Sequence, residues 1–98
     1  MRLNETQRNA IIINARKHFG ANAKVRLFGS RVDPSKRGGD IDLLVLASQK
    51  KMTIKNKLLF LVDLKKQIGL RKIDVVFDRK NNTNTFFLDS IIKKSIEI

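Results

Sequence analysis

The sequence contains no cysteine, so neither a disulfide framework nor a thiolate zinc site is open to it. With a single histidine, His18, zinc is a poor choice for any metal centre here. Trp and Tyr are absent, and the six aromatic residues are all Phe, mostly in apolar runs that core packing explains. No RNA-binding motif with exposed stacking residues is present. No apolar run approaches the roughly 20 residues of a membrane span. Met1 to Asn9 is polar and helix-like, without the apolar centre of a signal peptide. A cytoplasmic protein with no membrane partner is the expectation. Acidic residues are also scarce: 9 Asp and Glu stand against 21 Lys and Arg, a net charge of +12. A field of that size attracts polyanions such as nucleotides, nucleic acid or an acidic protein surface without choosing among them. Lysines that merely solvate helix faces are the alternative.

What is present reads as globular. Hydrophobic residues make up 42% and charged residues 31% of 98 residues, enough for one domain over residues 1–98 with one core. Asn4 to Phe19 has helical spacing, with Ala10, Ile11, Ala15 and Phe19 inward, Asn4 and Gln7 as a capping pair and Gly20 as the stop. Lys24 to Phe28 alternates as a strand. The stretch from Gly29 to Gly39 holds three of the five glycines and the only proline, a loop that has room for a helical turn starting at Ser30. Asp40 to Leu46 is a second strand, Ile54 to Ile68 a helix stopped by Gly69, and Arg71 to Phe77 a third strand. "RKNNTN" is a loop, and Thr85 to Ile96 a closing helix with Phe86, Leu88, Ile91, Ile92 and Ile96 inward. This order predicts a small α/β fold, a short mixed β-sheet flanked by helices. The Ile54–Ile68 helix has too many apolar residues for one narrow stripe, which implies either a thicker core or a contact with another chain.

The chemistry lies in "GSRVDPSKRGGDIDLLV", from Gly29 to Val45. Side chains alternate along a strand, so Asp40 and Asp42 share a side at its opening. Carboxylates that close repel unless a cation neutralises them, and an oxygen-only pair favours Mg²⁺ or Mn²⁺. Asp74 supplies a third carboxylate if its strand lies beside the second; an edge aspartate paired with Arg71 or Arg79 is the alternative. Three carboxylates can hold two ions about 4 Å apart, an arrangement that activates an attacking oxygen and stabilises a leaving phosphate. Gly29 and Ser30, at a strand end, suit a phosphate anion, and Arg31, Lys36 and Arg37 could offset its charge. His18, near a helix C-terminus, suits the dipole or solvent better than catalysis.

This segment resembles the Gly-Ser…Asp-x-Asp signature of the DNA polymerase beta-like nucleotidyltransferases. In its small size the chain is similar to the minimal nucleotidyltransferases, the MntA-type antitoxins paired with HEPN-domain ribonuclease toxins. The resemblance covers essentially the whole chain, and Gly29-Ser30-Arg31 has the form usual in that branch, although Val32, Asp33 and Pro34 replace its common Arg-Gly continuation. It implies that Gly29, Ser30 and Arg31 contact ATP, and that Asp40, Asp42 and Asp74 are both catalytic and metal-binding. Two Mg²⁺ ions are implied, with Asp74 helping to deprotonate the acceptor. The implied reaction is transfer of AMP to a hydroxyl, a tyrosine of a cognate HEPN toxin, within a hetero-oligomer. A non-catalytic toxin-binding role and nucleotide addition to RNA ends are the other readings.

Overall fold

The computed structural model describes residues 3–29, 40–78 and 94–98. The first helix, α1 (Glu5–Phe19), begins with the expected capping box. Asn4 Oδ1 accepts from the Gln7 amide at 2.8 Å, and Gln7 Oε1 accepts from the Asn4 amide at 3.2 Å, so two donors that the first turn leaves over are satisfied. The second helix, α2 (Ile54–Ile68), starts on Thr53, whose hydroxyl accepts from the Asn56 amide at 3.1 Å. Both spans follow the sequence periodicity.

Four strands form one sheet: β1 (Lys24–Phe28), β2 (Ile41–Leu46), β3 (Ile73–Phe77) and β4 (Ile96–Glu97), in the spatial order β3-β2-β1-β4. β1 pairs antiparallel with β2 and β4, whereas β2 and β3 run parallel, with α2 as the crossover that a parallel pair requires. The sheet is therefore mixed, as the sequence predicts. The predicted loop at 30–39 and residues 79–93, which include "RKNNTN" and most of the closing helix, lie outside the described residues.

The end of that closing helix is a correction. Ile96 does not continue a helix; it opens β4, opposite Leu27 of β1. Ile98 extends the ladder, its amide donating to the Val25 carbonyl at 3.0 Å. Arg26 Nε donates to Ser95 Oγ at 2.6 Å, fixing the approach to the strand. The sequence "IEI" alternates, with β-branched residues one apart, and an open sheet edge outweighed the 3.6-residue period read across it.

Alternation then assigns the two faces of the sheet. Val25, Leu27, Ile41, Leu43, Val45, Ile73 and Val75 are buried in one cluster with Ala10, Ile11, Ala15 and Phe19 of α1 and Phe60 and Leu64 of α2. The Phe19 ring sits 5.2 Å from Phe60 and 5.6 Å from Phe77, tying both helices to β3. The intervening residues, Arg26, Phe28, Asp42, Leu44, Asp74 and Val76, lie on the opposite face. Among the described residues, both helices lie on one side of the sheet, and Asp42 and Asp74 are on the other.

His18 joins the two helices. Its Nε2 lies 2.7 Å from Asp63 Oδ2, which also accepts from Lys17 Nζ at 3.1 Å. The hydrogen bond with His18, then that with Lys17, hold the Asp63 carboxyl below its ordinary pKa. A carboxyl whose folded pKa is depressed adds stability above its unfolded pKa, near 4, and loses it as pH falls through the folded value. Asp63→Asn is accordingly expected to flatten the acid limb of stability below about pH 4. Urea midpoints measured from neutral to acid pH check this, and an unchanged acid limb would refute it.

Candidate active site

The register of two strand pairs builds the site. Phe28 is opposite Asp42 across β1 and β2, which brings Gly29, the next residue, beside that carboxylate. Across β2 and β3, Asp42 is opposite Asp74. Parallel pairing keeps side chains at matched positions on the same face, so the two aspartates meet. Asp42 is half-buried, while Asp40 and Asp74 are exposed.

The carboxyl of Asp42 is raised above its ordinary pKa. Burial is the largest cause, followed by the charges of Asp74 and Asp40 and a hydrogen bond with Asp74. Lys72 opposes the shift. A site that makes ionisation unfavourable through neighbouring negative charge is one that a cation would relieve. The structure thus brings Asp42 and Asp74 into contact, with Asp40 near enough to act on Asp42 through its charge. It does not draw the three into one tight group: among the described residues, no set of three His, Cys, Asp or Glu side chains is close enough to hold a metal ion. Ser30, Arg31, Lys36 and Arg37 lie outside the described residues.

Gly29 has a role beyond approach to a phosphate. Its φ is +77°, in the left-handed region, and a Cβ built on it would collide with Asp42 Oδ2. Gly29 therefore turns the chain out of β1 and leaves room for the carboxylate. Gly29→Ala is expected to destabilise the fold by about 1–2 kcal/mol, the cost of the left-handed backbone, and to displace Asp42. Urea unfolding and NMR titration of the Asp42 carboxyl measure the two effects. An unaltered Asp42 titration would refute the displacement.

Lys72 is a contributor that the sequence reading passed over. The signal was available, since Lys72 and Asp74 are two residues apart and share a face of an extended segment. Its carbonyl accepts from the Ile41 amide at 3.0 Å, extending the β2–β3 pairing toward Asp40. On the same face a cavity of about 200 Å³ is lined by Lys24, Arg26, Leu44, Leu46, Asp78 and Glu97, at the end of β2 away from Asp42. It lies apart from the aspartates, and carboxylate chemistry rather than cavity size marks the site.

A small mixed sheet backed by helices on one face, with aspartates at the opening of β2 and on the adjoining β3, has the architecture of a nucleotidyltransferase fold. The polymerase beta nucleotidyltransferase family matches residues 10–98, nearly the full length, and the chain belongs to that family. Its general class of reaction is nucleotidyl transfer. No curated protein matches the chain significantly. Among the described residues, no helix is long and apolar enough to cross a membrane.

Proposed function

We propose that this chain transfers AMP from ATP to a hydroxyl of a partner protein, a tyrosine of a HEPN-domain ribonuclease toxin, and acts as its antitoxin. The observation that carries the transferase part is the pairing of Asp42 with Asp74 across β2 and β3, with Asp40 close by. The finer reading is supported by the resemblance of Gly29-Ser30-Arg31 and Asp40-x-Asp42 to the minimal nucleotidyltransferases.

The donor chemistry fits Mg²⁺ or Mn²⁺: every candidate ligand is a carboxylate oxygen, and burial, then the charges of Asp74 and Asp40, raise Asp42. Asp42 and Asp74 would hold the ion together, with the negative charge of Asp40 nearby adding to its attraction. When bound, the metal supplies charge neutralisation at the phosphates. Asp74, the more exposed of the contacting pair, would accept the proton of the incoming hydroxyl. Asp42 is carried on β2, and the missing side chain at Gly29 leaves its carboxylate the room it occupies. Gly29 would let the triphosphate approach the chain, with Ser30 and Arg31 as its further contacts. The acceptor hydroxyl attacks the α-phosphorus in line, a P–O bond forms as the bond to the β-phosphate oxygen breaks, and pyrophosphate leaves.

The test is to incubate the 98-residue chain with Mg²⁺, α-labelled ATP and the protein encoded by the adjacent gene, and to map the label. Label on a tyrosine, absent when EDTA is present during the incubation, is the expected result. An unlabelled partner with all three aspartates intact would overturn the protein acceptor. The net charge of +12 favours RNA ends as the second acceptor class. Labelled RNA 3′ ends, diminishing as salt rises, would identify that case.

A further inference from the structure

The outer face of α2 is apolar and uncovered. Ile54, Leu58 and Val62 follow one another at four-residue spacing and are 74%, 56% and 52% exposed, with Leu59 beside them at 44%. Phe60 and Leu64 alone anchor the helix fully in the core, and Leu70, just past its end, is almost completely exposed. Among the described residues, the thicker-core reading of this helix accounts for Phe60 and Leu64 but not for this stripe. Aliphatic side chains left in water along three turns mark an interaction surface.

Charge identifies what covers it. Lys55 and Lys66, both exposed, are within four residues of Leu59 and Val62 on the same side of the helix. The sole carboxylate of α2, Asp63, is turned to α1 and engaged by His18 and Lys17. Around the apolar stripe the rim is thus cationic, with no acidic residue of α2 to balance it. A second copy would bring identical lysines together on chains of net charge +12, which disfavours self-association. An anionic lipid surface is disfavoured by the absence of aromatic side chains on this face, where membrane-seated helices place Trp or Phe.

We propose that the Ile54–Leu58–Val62 face of α2 docks a partner protein whose surface has an aliphatic centre and an Asp/Glu rim. This deepens the partner part of the functional reading and rests on it only in taking the partner to be a protein. α2 packs on the face of the sheet opposite Asp42 and Asp74, so docking here leaves the carboxylates open. Holding the partner and transferring the nucleotide are consequently separable. The same partner reaches the transfer site only by extending around the sheet edge or from another complex.

The test uses the full chain and a synthetic amphipathic helical peptide, leucines on one face and glutamates flanking them, followed by fluorescence anisotropy without nucleotide or metal. Saturable binding that weakens with salt is expected, and L58S/V62S is expected to weaken it by about tenfold or more with an unchanged circular dichroism spectrum. K55E/K66E should weaken it too, and a peptide with lysine in place of glutamate should not bind. Asp42→Asn should bind as wild type does, so failure of docking and failure of transfer are read separately. Binding indifferent to L58S/V62S, preference for phosphatidylglycerol vesicles over the peptide, or self-association of the chain alone would each overturn the proposal.

Discussion

Asp42→Asn is expected to reduce nucleotidyl transfer by on the order of 10³-fold, while leaving the fold as stable as before or more so at neutral pH. The two effects have the same origin. Asp42 is half-buried beside Asp74 and Asp40, so its ionised form is unfavourable in the folded chain and its pKa is raised. A carboxyl raised in this way contributes stability that is fully present below its unfolded pKa and is lost as pH rises through the folded value. Asparagine keeps the shape and removes that loss, but it also removes the anionic oxygen that would hold a cation at the reacting phosphate. Pyrophosphate release and partner labelling measure the first effect, and urea unfolding without metal measures the second. An active D42N protein would refute the assignment of this carboxylate. An inactive and unfolded one would show that its role is structural.

The second large effect is on stability. Phe60→Ala is expected to destabilise the chain by about 3–5 kcal/mol, a large share of the 5–15 kcal/mol that small domains possess. Phe60 is fully buried and stacks at a tilt on Phe19, whose other edge meets Phe77 of β3. Removing the ring leaves a cavity between α2 and the sheet that neighbouring backbone cannot close. Phe77 follows Asp74 by three residues on β3, so loosening that ring chain also loosens the β2–β3 register at the site. A fall in urea midpoint at constant slope is the expected record, and a change below 1 kcal/mol would refute the central place given to this ring.

The contrast between the two helices shows how much periodicity conveys. In α1 the apolar spacing, the capping pair and the stop were all local signals, and Ala10, Ile11, Ala15 and Phe19 are buried as the spacing predicts. In α2 the span was equally legible, but eight apolar residues left two interpretations, and only packing distinguished the core pair Phe60 and Leu64 from the exposed stripe. Ile96 failed for a related reason. A two-residue strand has no period of its own, and its partner on β1 lies far away in sequence.

For the candidate site, the sequence by itself determined which residues carry charge and that Asp42 and Leu44 share a face of the second strand, because alternation along a strand is a local property of the backbone; Asp40, read as the first residue of that strand, lies just before it. The sequence also determined the glycine at the end of β1 and the aspartate in the third apolar run. Whether Asp74 meets Asp42 depended on strand order and register, which are long-range choices made by the burial of Leu43 and Val75 against the helices. The clearance at Gly29, the opposing influence of Lys72 and the separation of the cationic α2 face from the carboxylate face were likewise decided by tertiary structure. Each depends on which surfaces the folded chain brings together, and no spacing along one segment contains that information.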